Sequence, residues 1–241
     1  SGLESVAYNI NRKNNALKLY EFGKTYHKYN EKYQEDKHLT LFVTGNRTKD
    51  SWKTASQNSD FFYVKGILTA LFERLGISNF KTSPVKSDVF AEGITLSLGK
   101  IKLVDVGVVK RTLLKEFGIK QEVLFADIQW DNVLKLCGNK KIKVSDLPRF
   151  PAVKRDLALL LDNDKTFKEI YNLAFQSEKS LLKEVDLFDV YEGDKLPEGK
   201  KSYAVSFVLQ DENKTLEDKQ IDKIMQKLQA TFEKNLEAVL R

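Results

Sequence analysis

The apolar positions of FFYVKGILTALFERLG fall at helical spacing. Phe61, Val64, Leu68, Leu71, Phe72 and Leu75 recur at steps of three and four, behind Asp60 as an N-cap candidate and up to Gly76. This predicts the clearest helix of the first half. Upstream, NALKLYEFGKTYHKY (15–29) mixes aromatics and aliphatics with Lys at near period two, and LTLFVTGNR (39–47) runs into a Gly-Asn turn. The two stretches predict neighbouring antiparallel strands. Downstream, ITLSLG, IKLVDVGVV and VLFADIQW alternate or run apolar between Gly and charged breaks, and read as further strands. RTLLKEFG (111–118) reads as a short helix among them.

A boundary is expected near KIKVSDLPRFPAVKRD, where Pro148 and Pro151 exclude regular helix and hold the preceding residues extended. It divides the chain into 1–147 and 148–241. Beyond it the pattern gives a strand over 155–162, a helix over 166–178, strands over 181–191 and 201–211, and a long helix. Thr215 and Asp218 open that helix, and a short EAVLR strand closes the chain. The order βαββαβ is the ferredoxin-like arrangement, with both helices on one face of a four-stranded sheet and the other face open. The fold class is therefore α+β.

Alternation assigns the faces of that sheet. Tyr203, Val205, Phe207 and Leu209 form an apolar face against the smaller Ser202, Ala204, Ser206 and Val208, and Leu157, Leu159 and Leu161 oppose Asp156, Ala158 and Leu160. Phe188 and Val190 are expected to be buried, opposite Asp189 and Tyr191. This solution leaves Asp156, Asp189, Tyr191, Ser202 and Ser206 on or near the open face.

Composition adds limits. With 241 residues, 41% hydrophobic and 31% charged, the chain is long enough for two ordinary cores, and a soluble globular protein is expected. No apolar run approaches a membrane span, and SGLESVAYNINRK lacks the apolar centre of a signal peptide. Cys137 is the single cysteine, which excludes an internal disulfide and fits a reducing, cytoplasmic setting. The chain starts with Ser, and its first residues read as the interior of a domain, so a piece of a longer protein is expected.

The net charge of +6 is uneven: residues 1–147 hold 24 Lys and Arg against 16 Asp and Glu, whereas 148–241 hold 16 against 18. If the second part meets RNA, it must do so through a local patch and base contacts rather than bulk charge.

The run RFPAVKRDLALLLD, then LFDVYEG, then LPEGKKSYAVSFVLQDENKTLEDKQI, then a terminal LR, resembles the ferredoxin-fold anticodon-binding domain that closes the β subunit of bacterial phenylalanyl-tRNA synthetases. Upstream, LKLYEFGKTYHK, SDFFYVKGILTALFERLGI and LGKIKLVDVGVVKRTLLKEFGIKQEVLFADIQWDNVL are similar, less tightly, to that subunit's class II synthetase-like domain. The resemblance implies an antiparallel class II-like sheet domain followed by the anticodon-binding domain. It also implies an α-subunit partner holding the ATP and phenylalanine site in an (αβ)2 enzyme, with tRNA(Phe) bound. ATP and magnesium then belong to the complete enzyme, and this portion carries no cofactor.

The residues fit a portion without chemistry of its own. A working class II site needs an Arg-x-Glu pair and a late Arg for ATP phosphates, but the strand pair here carries Lys and Asp. GITLSLGK (93–100) has five residues rather than four between its glycines and Ile after its Lys, so it reads as a strand ending in a turn. His27 and His38, near Glu31, Glu35 and Asp36, have no metal-ligand spacing and read as a solvated charged loop. Arg47, Arg74 and Arg111 read as surface charges or subunit contacts. Neither a catalytic residue nor a metal site is expected.

The candidate site lies in the second part. Tyr191 ends a strand beside the loop EGDKLPEGK, Asp189 precedes it on the same face, and Ser202 begins the next strand, where hairpin pairing brings it close. Arg149, Lys154, Arg155, Lys200 and Lys201 are expected to flank them. An aromatic, a carboxylate and a hydroxyl together suit an unstacked base, with cations on phosphates. The same three residues also fit a core edge capped by Tyr191, with Asp189 balancing a Lys. The resemblance implies the first role. The fold by itself also permits a protein-interaction or small-ligand regulatory module without RNA binding.

Overall fold

The computed structural model describes residues 1–29, 32–49, 51–138 and 147–240. Residues 139–146, in the segment before Pro148, and Glu31, beside the histidines, lie outside the described residues. The chain divides into two compact units, Ser1–Lys143 and Val144–Arg241.

The first unit is built on a six-stranded antiparallel sheet. Its strands are β1 (Leu17–Tyr29), β2 (Lys32–Thr44), β3 (Lys81–Pro84), β4 (Phe90–Leu98), β5 (Ile101–Val109) and β6 (Val123–Gln129), in the order β1-β2-β6-β5-β4-β3. Register explains why one face is buried. Leu39 lies opposite Ile128, Ile128 opposite Val104 and Val104 opposite Leu96, a row of apolar side chains across four strands. Val64, Leu68 and Phe72 of helix α2 (Phe61–Arg74) pack in the same core, and the Asp60 side chain accepts the Tyr63 N–H at 2.7 Å as its N-cap.

Three elements of this unit escaped the sequence pattern. Helix α1 (Gly2–Ile10) buries only Val6 and strand β3 is four residues ending in Pro, so neither shows a full period. The alternation of VLFADIQW breaks at Trp130, which opens helix α4 (Trp130–Cys137) instead of extending the strand. Between β5 and β6 lies α3 (Arg111–Glu116), as expected. Strand β2 starts at Lys32, seven residues before the predicted strand, because KYQEDKH is polar on both faces of a two-stranded ribbon.

The second unit has the order β7 (Val153–Asp162), α5 (Phe167–Ser177), β8 (Leu182–Tyr191), β9 (Lys200–Leu209), α6 (Asp218–Leu236) and β10 (Val239–Leu240). Its sheet runs β10-β7-β9-β8 with every neighbour antiparallel, the split βαβ arrangement. Both helices pack on the Tyr203, Val205, Phe207 and Leu209 side, through Ile170 and Ala174 of α5 and Ile221, Leu228 and Phe232 of α6. The start of α6 differs in detail from the Thr215–Asp218 expectation: Glu217 is the N-cap, in a capping box with Gln220. The α6 C-cap, Glu237, is left-handed at φ 54°, which turns the chain into β10 against β7.

Candidate nucleic-acid interface

Residues directly opposite each other on paired strands share a face. On the side away from α5 and α6, Lys154–Val208–Glu184 and Asp156–Ser206–Asp186 make two rows across β7, β9 and β8. Ala158–Ala204–Asp189 and Leu160–Ser202–Tyr191 make two more, and Asp162 lies opposite Lys200 beyond them. The expected neighbours Tyr191 and Ser202 are thus directly paired, with Asp189 on the same face. Asp156 is exposed there, whereas Ser206 and Ser202 are buried on the narrow central strand under their longer neighbours.

Phe188 and Val190 overturn the expectation that both are buried: Val190 lies opposite Tyr203, on the helix side, yet is 46% exposed at the sheet edge. Pairing slips between Leu187 and Asp189, a β-bulge that leaves Phe188 as the extra residue. Instead of entering the core, its ring is 52% exposed and lies 5.6 Å from the Lys154 Nζ, so it stands on the open face beside Asp189. No sequence signal marks this, because LFDVY alternates as a regular strand would.

The expected cations separate. Arg155 lies opposite Phe207, on the helix side, and reaches Asp218 of α6 at 3.7 Å. Lys201 lies opposite Leu161 on that same side, is buried, and donates to the Asn163 carbonyl at 2.9 Å. Arg149 is at the other end of the strands from Tyr191, lining a shallow cleft with Lys183, Gln210 and Glu212. Lys200 shares the open face but is paired with Asp162 at 2.8 Å. Among the described residues paired across these rows, the cations are Lys154 and Lys200, against Asp156, Asp162, Glu184, Asp186 and Asp189. Away from Lys154 such a face disfavours a phosphate backbone and suits bases whose N–H groups can donate to carboxylates.

The loop after β8 closes over the end of this face. The Leu196 N–H donates to the Gly193 carbonyl, and Lys200 follows Gly199, whose φ of 78° favours glycine. A Cβ on Gly193 would lie 2.8 Å from the Tyr191 Oη, so the absent side chain lets the loop fold against the ring. Tyr191 stays 38% exposed.

In the first unit, the sheet face opposite α2 carries a polar row, Thr40–Asp127–Asp105–Thr95. Two carboxylates directly opposite each other repel, and each is answered. His38 Nδ1 lies 2.7 Å from Asp127, while Thr95 and Lys102 donate to Asp105 at 2.6 and 2.5 Å. His38 is therefore a half-buried strand residue rather than part of a solvated loop, and His27 lies in β1. Gly93 is inside β4, and Gly99 forms the turn to β5, so GITLSLGK is a strand ending in a turn. Among the described residues, no three His, Cys, Asp or Glu side chains converge on a metal position.

Family models match both units. Residues 148–241 match the ferredoxin-fold anticodon binding domain, and residues 1–130 match the phenylalanyl tRNA synthetase beta chain CLM domain. Together they define a chain of the aminoacyl-tRNA synthetase class. It belongs to the phenylalanyl-tRNA synthetase beta-chain family. Proteins named phenylalanine–tRNA ligase beta subunit are similar across it: 46% identity in Bacteroides fragilis and 47% in Bacteroides thetaiotaomicron, each over 100% of this chain and 31% of the relative. In Geobacillus kaustophilus the identity is 33%, over 99% of this chain and 30% of the relative. The chain thus spans about a third of the length of these relatives. A solved pyrrolysyl-tRNA synthetase of Desulfitobacterium hafniense superposes on 56% of this chain and 47% of its own, with a TM-score of 0.42 and 14% identity, too slight a likeness to carry a fold argument.

Proposed function

We propose that the chain is a tRNA-binding and structural portion of a phenylalanine–tRNA ligase. Residues 148–241 recognise the anticodon region of tRNA(Phe), and residues 1–147 support a catalytic alpha subunit in an (αβ)2 enzyme of the cytoplasm. The observation that carries this reading is the uncovered face of the second sheet, where Phe188 and Tyr191 flank Asp189 among carboxylates rather than cations. Aromatic faces hold unstacked bases, and a carboxylate accepts from base N–H groups. Asp156 and Asp186 border the same surface.

Phenylalanine activation is assigned to the partner, together with ATP and magnesium. The Thr40–Asp127–Asp105–Thr95 row has no arginine, and the partners named above satisfy both its carboxylates, so it does not fit a triphosphate. Among the described residues no helix is long and apolar enough to cross a membrane. Filter binding of the 241-residue chain to tRNA(Phe), to the same tRNA with a replaced anticodon, and to an unrelated tRNA tests the proposal. Preference for the first is expected. Equal binding of all three would overturn it.

A further inference from the structure

One face of the β1–β2 ribbon is neither core nor ordinary surface. Every second residue of β1 from 18 to 28 falls on it: Lys18, Tyr20, Phe22, Lys24, Tyr26 and Lys28. Strand β2 adds Tyr33, Glu35 and Lys37 by direct pairing with Lys28, Tyr26 and Lys24. Tyr20, Phe22, Tyr26 and Tyr33 are 72%, 58%, 66% and 77% exposed. Scattered exposed rings are ordinary, but four on one ribbon face form a patch that calls for a partner. The fold itself engages Phe22 most closely, edge-on to Trp130 at 5.2 Å between centroids. Because β1 is the sheet edge, its lysines also discourage strand addition, which accounts for the charge but not for the rings.

Charge selects the kind of partner. The carboxylates at this face, Glu35 and Asp131, are engaged by Lys24 at 2.8 Å and by Lys37 at 4.0 Å. Lys18 donates to the Arg47 carbonyl, bringing no acid with it, and Arg47 lies 4.8 Å from the Tyr63 ring, which extends the cationic side. Cores of stable protein interfaces are rich in aromatics but depleted in lysine, whereas here three lysines and three rings share one face of a single strand in the order Lys-Tyr-Phe-Lys-Tyr-Lys. Same-face positions recur every ~6.6 Å along a strand. Rings spread along the face at multiples of that spacing, with lysines before, between and after them, match an extended single strand, bases on the rings and phosphates at the lysines.

We propose that this ribbon face binds an unpaired RNA strand, stacking bases on Tyr20, Tyr26 and Tyr33 and drawing phosphates to Lys18, Lys24 and Lys28. This contact is separate from the anticodon-directed face of the second unit and does not depend on it.

The test uses the 241-residue chain carrying Phe188→Ala and Tyr191→Ala, which remove the stacking rings of the second unit. A 12-nucleotide oligouridine containing 4-thiouridine is photo-crosslinked, and the attached peptides are mapped. Crosslinks within residues 18–37 are expected. Adding Tyr20→Ala and Tyr26→Ala should weaken oligonucleotide binding about tenfold, while Phe at both positions should retain most of it. Tyr26→Ala alone, on the outer part of the ribbon, provides a variant that leaves the core intact. Binding unchanged in the alanine variants, or crosslinks confined to other segments, would overturn the proposal. So would loss of purified alpha-subunit binding with oligonucleotide affinity intact, which assigns the face to protein contact. Anticodon discrimination by the parent chain is scored separately, so either proposal can fail alone.

Discussion

Lys154 holds its ammonium 5.6 Å from the centre of the Phe188 ring, on the face that neither helix of the second unit covers. The contact reaches from β7 past β9 to β8, so the ring is supported while half of it stays in solvent. Phe188→Ala is expected to weaken tRNA(Phe) binding by about 1–3 kcal/mol, the range for removing one base–aromatic stack. An exposed cation–π contact is worth only about 0.5–1 kcal/mol, so the melting temperature should move little. Filter binding with a thermal melt checks both. A melt lowered as by a core deletion, with binding intact, would make Phe188 a packing residue.

Tyr191 should behave as a platform rather than as a hydrogen-bonding group. Tyr191→Ala is expected to lose about 1–3 kcal/mol of tRNA(Phe) affinity, and Tyr191→Phe to keep most of it because the π face remains. Titrating anticodon-loop variants against each protein shows which base the loss concerns. If Phe costs as much as Ala, the hydroxyl is what matters and stacking is the wrong account.

Lys201 and Lys154 separate structure from steering. Lys201→Ala leaves the Asn163 carbonyl without its buried donor, so a stability cost of about 1–3 kcal/mol is expected, with the salt dependence of RNA binding unchanged. Lys154→Ala should leave stability nearly intact and flatten that salt dependence, since a phosphate contact releases counterions. Urea melts and affinities at several salt concentrations distinguish the two. The reverse pattern would put Lys201 on the RNA.

The start of α5 carries a pH signature. The backbone N–H of Thr166 first, and then its hydroxyl, donate to the Glu169 carboxylate at 2.7 and 2.8 Å and hold its pKa below the ordinary glutamate value. A lowered folded-state pKa means this stabilisation is present above the unfolded-state pKa and disappears as pH falls through the folded one. Glu169→Gln should therefore destabilise at neutral pH and match the parent in acid below the glutamate range. Thr166→Ala should cost about 1 kcal/mol, the usual value of an N-cap. Urea midpoints against pH provide the check, and a Glu169→Gln difference that persists in acid would refute the ionic origin.

Much of this architecture was legible because the elements that carry the cores keep one period throughout. Phe61 to Leu75 and Tyr203 to Leu209 bury the residues their spacing selects, apart from the half-buried flanks of α2. What stayed hidden lacked a period. The outer ribbon, where neither face is buried, gave no alternation at Lys32 to Lys37, and the short α1 offered a single buried residue. At the candidate site, the Tyr191–Ser202 pairing followed from the hairpin, but the cations did not. Arg155 and Lys201 have the parity of core positions, and charge alone suggested an outward role that register denies them. Phe188 was lost for the opposite reason, since an inserted residue leaves the alternation of its neighbours looking unbroken.

That insertion has a consequence for how the open face can change. A regular strand offers one side chain per face in every two residues, so an aromatic and an acid at consecutive positions point to opposite sides. Because Leu187 still opposes Val205 and Asp189 still opposes Ala204, removing Phe188 would join two segments that are already in phase. Deleting this codon would leave the Tyr191–Ser202 pairing and the loop where they are, and subtract one ring from the surface. The strand carries Phe188 as a detachable part, open to exchange or loss without renumbering the rest of the sheet.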